Sequence, residues 1–115
     1  MGTVVRNKCR LGAQEFFQVF GEDYDQTYSP VAKFTSIQTL LALSAQHRLT
    51  VSQMDDNTAI LNAPIEKDIW VQLPKGEEDD GVYKLKTSLY GLKQAPREWN
   101  KCINEFLVSI GFDEY

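Results

Sequence analysis

Two segments of the chain have the apolar spacing of an amphipathic α-helix. Between them lie three segments in which every second residue is apolar. The three- and four-residue spacing predicts helices, and the two-residue alternation predicts strands. The predicted helices span 36–47 and 96–110, and the predicted strands span 49–54, 69–73 and 82–85. Because helices and strands are mixed in this order, the chain is predicted to adopt an α+β fold, with two main helices packed on a short antiparallel sheet.

Local signals mark the ends of the two helices. Thr35 is predicted to cap the first helix, because Gln38 three residues later completes a capping box. Pro96 suits the first turn of the last helix, and Gly111 suits its C-terminal end. The large aromatic side chains are interpreted as core or edge contacts rather than base-stacking surfaces: Phe16, Phe17, Phe20, Trp70 and Trp99.

The charge of the chain is acidic overall but unevenly distributed. A formal net charge of −4 over 115 residues argues against a dedicated nucleic-acid binder. However, residues 1–10 carry three basic groups and no acid, and residues 82–101 carry five basic groups and one acid. Residues 11–81 carry twelve acids and four bases. A nucleic-acid contact therefore requires the two basic segments to meet in space.

Several classes of protein are disfavoured by composition. Cys9 and Cys102 lie far apart, which favours two free thiols, and the single His47 excludes a two-histidine metal site. The N-terminus has no apolar stretch of the kind found in secretory signals, and the longest apolar run, residues 40–45, is too short for a bilayer. We therefore expect an intracellular protein, cytoplasmic or nuclear, with no membrane partner and no secretion.

Asp55 and Asp56 follow the predicted strand over 49–54. Carboxylates at a strand end are well placed to hold Mg²⁺, which prefers oxygen ligands and keeps waters that a phosphate can replace. An aspartate pair in such a position is more often only a turn, as the Asp79–Asp80–Gly81 string illustrates. Both interpretations stay open on spacing alone.

Longer strings occur in a fixed order along the chain. They are DYDQTYSPV at 23–31, TSI at 35–37, LLAL at 40–43, QMD at 53–55, TAILN at 58–62 and SLYGLKQAPREW at 88–99. In this order and at this spacing, the chain resembles the reverse transcriptase of copia-type LTR retrotransposons. The resemblance implies one partial domain over residues 1–115, covering part of the fingers and palm of a right-hand polymerase. The N-terminal fingers segment and the second-aspartate hairpin of that family have no counterpart in it.

The resemblance also implies a site, residue by residue. Asp55 matches the catalytic, metal-binding aspartate that serves Mg²⁺-dependent nucleotidyl transfer. The implied nucleotide-binding residues are Asn57, Thr58, Ala59, Ile60 and Arg10, with Lys8 beside Arg10. The implied template-facing residues are Gly91, Lys93, Gln94, Pro96 and Arg97. The implied partners are an RNA template or RNA–DNA hybrid and a deoxynucleoside triphosphate.

The chain departs from the family pattern at several places, among them Asp56–Asn57 for the family's Val–Lys and Ala63 for its Gly. Ile60 stands where the family usually has the aromatic residue that checks the sugar, and Gln14–Glu15 stand where it usually has Lys–Gly. With one catalytic aspartate, the chain is expected to bind Mg²⁺ weakly and to be inactive alone as an RNA-directed DNA polymerase. Two alternatives remain: a domesticated module that binds nucleic acid without catalysis, and an interaction module that self-associates or docks on a full-length relative.

Overall fold

The computed structural model describes residues 2–3, 5–76 and 81–113, which form a small α+β arrangement of three helices and one two-stranded sheet. The elements are α1 (Phe34–Gln46), α2 (Ala59–Asn62), β1 (Trp70–Gln72), β2 (Val82–Lys84) and α3 (Ala95–Ser109). A 3₁₀ turn, Glu15–Phe17, precedes them. The predicted α+β class is therefore confirmed. Within these residues, no helix has both the length and the apolarity that a membrane crossing requires.

The sheet is an antiparallel hairpin of β1 and β2. Val71 lies opposite Tyr83, and the Leu85 N–H donates to the Ile69 carbonyl oxygen at 2.9 Å just beyond the strands. The two predicted strands are thus confirmed, while the predicted acidic tip of their connection, residues 77–80, lies outside the described residues.

The strand predicted over 49–54 is wrong, because these residues are irregular. A strand satisfies its backbone N–H and C=O groups only through a partner strand. No partner strand lies beside 49–54 in the described part of the chain. Apolar and polar residues alternate over 49–54, but the described residues provide no partner strand with which this segment could form a sheet.

A small core lies where α2, the hairpin and the start of α3 meet. Ile69, Leu92 and Ala95 are buried there, and the partly buried Ile60 and Leu85 pack against them. This core joins Ala95, the first residue of α3, to Ile69, the residue before β1, and it therefore holds the segment before α3 in place.

Helix α3 begins and ends as predicted. Pro96 lies in its first turn, and Gly111, just past its last residue, has a φ of +98°. The N–H groups of Gly111 and Phe112 donate to the carbonyl oxygens of Val108 and Leu107 at 3.0 and 3.1 Å. These paired bonds form a Schellman motif, which requires the positive φ that glycine adopts most easily.

Helix α1 matches the helix predicted over 36–47, but its surroundings do not match the prediction. Its N-cap is Lys33, and Thr35 lies inside the helix, where its carbonyl oxygen accepts a bond from the Thr39 hydroxyl. None of its residues is buried, and it packs against no other described helix or strand. The prediction that both main helices pack on the sheet is therefore wrong. Leu40 of α1 is 65% exposed, and α3 contacts α2 rather than either of the described strands.

The chain exposes far more surface than a compact protein of its mass. Its accessible area is 10260 Å², whereas a compact 13.1 kDa chain would expose about 6,400 Å². Its radius of gyration is 18.8 Å, against about 13 Å for a compact chain of this length. Four of the five aromatic residues predicted as core or edge contacts are exposed, because little of the described chain covers them: Phe16 71%, Phe17 72%, Phe20 70% and Trp70 60%. The fifth, Trp99 of α3, is half-buried.

Candidate nucleic-acid interface

The N-terminal basic segment lies against the loop that leads into α3. Gly12 forms a parallel β-bridge with Tyr90, and the Ala13 N–H donates to the Tyr90 carbonyl oxygen at 2.6 Å. The Arg10 guanidinium lies 4.8 Å from the centroid of the Tyr90 ring, a cation–π contact. The two basic segments therefore meet in space, as a nucleic-acid contact that uses both of them requires.

Gly91 allows this close approach of two chain segments. Its φ is +84°, and a Cβ at this position would collide with the carbonyl oxygen of Ala13. A side chain here would be strained by the backbone angle and would also push the 10–13 segment away. The glycine is thus required by the backbone arrangement, and it is also exposed.

A network of side-chain amides joins the segment 18–24 to the turn before α3. The Lys93 N–H donates to Gln18 Oε1 at 2.8 Å, and Gln18 Nε2 donates to Gln94 Oε1 at 2.9 Å. Gln94 Nε2 then donates to the Asp23 carbonyl oxygen at 3.1 Å. The Lys93 ammonium lies 5.1 Å from the centroid of the Tyr24 ring. This network fixes both the main chain and the side chain at Lys93.

The predicted template-facing residues lie together at the start of α3, but they differ in exposure. Gly91 and Pro96 are exposed, and Lys93 and Arg97 are half-buried. Gln94 is only 5% exposed, and its amide oxygen and nitrogen are both bonded within the protein. In this arrangement Gln94 connects two segments, and it presents no free polar atom to a ligand.

The first turn of α3 is also covered by residues 28–29. The Ser29 hydroxyl donates to the Pro96 carbonyl oxygen at 3.2 Å, and Arg97 Nη1 donates to the Tyr28 carbonyl oxygen at 3.4 Å. Residues 10–29 therefore run along the start of α3 and contact it at several points.

The predicted nucleotide-binding residues separate into two places. Arg10 lies on Tyr90, whereas residues 57–60 lie at the start of α2. Asn57 and Thr58 are exposed, but Ile60 packs against the small core, so its side chain is used in folding. No hydrogen bond or ion pair joins residues 57–60 to Arg10 within the described residues.

Asp55 lies in the irregular, exposed segment before α2. Its neighbour Asp56 accepts a bond from Asn62 Nδ2 at 3.3 Å. Across residues 2–3, 5–76 and 81–113, no group of three or more His, Cys, Asp or Glu side chains could hold a metal ion. Mg²⁺ sites commonly combine one or two carboxylates with waters and phosphate oxygens. Asp55 could therefore supply one carboxylate oxygen to such a site, but the described residues do not form a complete donor set around it.

An ionic cluster forms on the side of α3 that faces Glu66. The Lys101 ammonium contacts the Glu66 carboxylate and lies 3.5 Å from a Glu98 oxygen. The hydrogen bond from Lys101 holds the pKa of Glu66 below its ordinary value, and the same bond raises the pKa of Lys101. Burial, followed by repulsion from Glu66, raises the pKa of Glu98, which is 4% exposed.

Ion pairing reduces the number of cations that the segment 82–101 presents. Lys101 is paired as described above, and Lys84 pairs with Asp68 at 2.7 Å. The remaining basic groups form no ion pair with the described residues: Lys86, Lys93 and Arg97. Arg97 nevertheless lies near the Glu66 and Glu98 carboxylates, so part of its charge is offset within the protein. With Arg10, the face at the start of α3 carries three such cations: Arg10, Lys93 and Arg97.

The sequence did not identify three residues as contacts of this site: Gln18, Tyr24 and Tyr90. Tyr24 and Tyr90 lie inside the strings that carry the family resemblance, so their positions were marked but their contacts were not. Gln18 carried no signal, because its partners are 75 and 76 positions away along the chain. The free thiols predicted at Cys9 and Cys102 are present as such.

Comparison of the sequence with known proteins identifies a matching family. The sequence model of the family described as "Reverse transcriptase (RNA-dependent DNA polymerase)" matches residues 1–115. The chain is 46% identical over 110 residues to the Retrovirus-related Pol polyprotein from transposon TNT 1-94 of Nicotiana tabacum, covering 92% of the chain. It is 38% identical over 115 residues to the corresponding polyprotein from transposon RE1 of Arabidopsis thaliana, covering 96% of the chain.

A more distant relative is the Truncated transposon Ty1-A Gag-Pol polyprotein of Saccharomyces cerevisiae, 31% identical over 81 residues and 69% of the chain. The chain spans only 8% of the length of each plant polyprotein and 7% of the yeast one. No solved structure matches the chain significantly.

Proposed function

The chain belongs to the reverse transcriptase (RNA-dependent DNA polymerase) family, and from this premise we propose that it is a piece of a copia-type retrotransposon reverse transcriptase that contributes part of the nucleic-acid face. The observation that supports the proposal most is the contact between residues 10–13 and the loop at Tyr90 and Gly91. This contact brings Arg10 beside the segment that carries Lys93 and Arg97, at the start of α3.

These three cations suit the phosphate backbone of an RNA template or an RNA–DNA hybrid. Arginine can bind a phosphate through two parallel N–H groups, and lysine acts as a mobile point charge. Contacts of this kind fix the position of the nucleic acid and do not read its sequence. Because the whole chain carries a net charge of −4, we expect its affinity for nucleic acid to be low. Added salt should lower that affinity strongly. Such a role places the protein inside the cell, with nucleic acid as its partner.

We assign Asp55 the role of the catalytic carboxylate and of one oxygen ligand for Mg²⁺. Residues 57–60 and Arg10 are assigned to the side of the incoming deoxynucleoside triphosphate. The described residues do not complete a metal donor set around Asp55. The isolated chain is therefore expected to bind Mg²⁺ weakly and to transfer no nucleotides by itself.

A primer-extension assay tests this assignment on the purified chain with an RNA template, a DNA primer and Mg²⁺ or Mn²⁺. We expect no extension product. Template-dependent synthesis that is lost in Asp55→Ala but kept in Asp113→Ala would contradict the inactivity of the chain. Synthesis that survives in Asp55→Ala would contradict the catalytic role of Asp55 as well.

A second candidate function, an interaction module, is favoured by the exposed α1. The chain exposes about 3,900 Å² more than a compact protein of its mass, which exceeds the roughly 1,200–2,000 Å² buried in a standard interface. Helix α1 carries no charged residue, so two copies could pair without like-charge repulsion. Sedimentation should then show a dimer that Leu40→Glu dissociates and Gln38→Glu does not. A monodisperse monomer at high micromolar concentration would reject self-association and leave docking on a full-length relative to be tested by mixing.

A further inference from the structure

The side chain of Gln18 bonds to two consecutive residues of the turn before α3. Its amide oxygen accepts the Lys93 N–H at 2.8 Å, and its amide nitrogen donates to Gln94 Oε1 at 2.9 Å. Gln94 in turn donates to the Asp23 carbonyl oxygen at 3.1 Å and is 5% exposed. Because Gln94 is buried, loss of its partner would leave a buried polar atom unsatisfied, which is costly.

The side chain of Lys93 is held by the same segment of chain. Its ammonium lies 5.1 Å from the centroid of the Tyr24 ring and 3.5 Å from the Tyr24 hydroxyl oxygen. Gln18 and Tyr24 both belong to the segment 18–24, which turns back on itself through the Gly21 N–H bond to the Tyr24 carbonyl oxygen at 2.8 Å. The segment therefore holds Lys93 at two points, the main-chain nitrogen and the ammonium group.

We propose that Gln18 is a positioning residue that sets the place of the Lys93 ammonium on the nucleic-acid face. The inference rests on the proposed function, since it concerns how the same face holds a phosphate backbone. Gln18 itself touches no ligand in this account. Gln18 acts by fixing the turn at 93–94. The Lys93 side chain is then held at Tyr24 and does not move freely in solvent.

Nuclear magnetic resonance of the full chain tests the positioning directly and without nucleic acid. In the parent chain, we expect slow hydrogen exchange at the Lys93 amide. We also expect upfield-shifted protons on the Lys93 carbon next to the ammonium group, because the Nζ lies over the Tyr24 ring. Gln18→Ala should speed exchange at Lys93 by about 10-fold or more and abolish the upfield shift. Gln14→Ala removes an exposed glutamine four positions before Gln18 and should change neither quantity.

Two internal comparisons separate positioning from general unfolding. The Glu98 amide, which donates to the Gln94 carbonyl oxygen at 3.0 Å, should stay protected in Gln18→Ala if α3 still begins where it does. Gln18→Glu keeps an oxygen that accepts the Lys93 N–H, so it should restore protection at Lys93 although it loses the bond to Gln94 Oε1. Normal protection and normal ring shift at Lys93 in Gln18→Ala would overturn the proposal.

A binding cycle then tests whether Gln18 acts through Lys93. Fluorescence anisotropy with an RNA–DNA hybrid at low salt should show Kd increases of about 2- to 5-fold for Gln18→Ala and for Lys93→Ala, the size expected for one exposed charge contact. The double variant should bind no worse than Lys93→Ala. A further loss in the double variant would overturn the proposal. A parent chain that binds no hybrid would refute the proposed function, while the exchange and ring-shift results would still decide the placement of Lys93.

Discussion

Replacing Gly91 by alanine probes the contact on which the nucleic-acid face depends. Gly91 has a φ of +84°, and a Cβ would collide with the carbonyl oxygen of Ala13. The collision would force residues 10–13 away from Tyr90. The variant should therefore lose the Ala13–Tyr90 hydrogen bond and the contact of Arg10 with the Tyr90 ring, in addition to straining the backbone.

The expected cost follows from these separate effects. A left-handed backbone angle costs a residue with a Cβ about 1–2 kcal/mol. Losing the Ala13–Tyr90 bond adds about 0.5–1.5 kcal/mol, and losing the Arg10 cation–π contact adds about 0.5–1 kcal/mol. The sum is about 2–4.5 kcal/mol. Gly21 has a similar φ of +88° with nothing within 4 Å of its Cβ position, so Gly21→Ala should cost only about 1–2 kcal/mol.

Urea denaturation followed by circular dichroism, together with hydrogen exchange at the Ala13 amide, measures both effects. Gly91→Ala should be less stable than Gly21→Ala and should lose protection at Ala13, whereas Gly21→Ala should keep it. Equal losses of stability in the two variants, or a protected Ala13 amide in Gly91→Ala, would refute the close contact between the two segments.

Three further predictions concern other parts of the chain. The raised pKa of Glu98 means that the folded state binds this proton more tightly, so the unfolding free energy should fall as pH rises above the ordinary value of 4.5. Glu98→Gln should flatten that decline in denaturation curves between pH 4.5 and 7, and an unchanged slope would contradict it. Mn²⁺ should broaden the Asp55 resonances at millimolar concentrations, and selective broadening elsewhere would reject Asp55 as a ligand. Gly111→Ala should cost about 1–2 kcal/mol and expose the Phe112 amide to exchange. A protected Phe112 amide would contradict the Schellman motif at the end of α3.

The elements that the sequence predicts well are those whose signals are local. Pro96 lies in the first turn of α3 and Gly111 follows its C-cap, and both residues act through their own backbone angles. The β1–β2 hairpin joins neighbours along the chain. The strand over 49–54 fails because a strand exists only with a partner, and the alternation of residues in one segment does not reveal whether that partner is present.

Burial and the site were predicted less well for a related reason. Phe16 and Phe17 are large apolar side chains of the kind found in cores. Their burial depends on other segments of chain that cover them, and both are exposed in the described structure. The motif at 88–99 holds residues that the structure brings together at the start of α3, and their functional role stays a prediction. It did not show that Gln94 is buried and bonded to Gln18, because that bond joins residues 76 positions apart.

The salt dependence of hybrid binding tests the central claim most directly. If Arg10, Lys93 and Arg97 contact phosphates, log K against log salt should have a slope of about −2 to −3 for the parent chain. Arg10→Ala should reduce the magnitude of the slope by about 1. Lys84→Ala should leave it unchanged, since Lys84 is paired with Asp68. Binding that does not depend on salt, or a slope that Lys84→Ala reduces as much as Arg10→Ala does, would contradict the account.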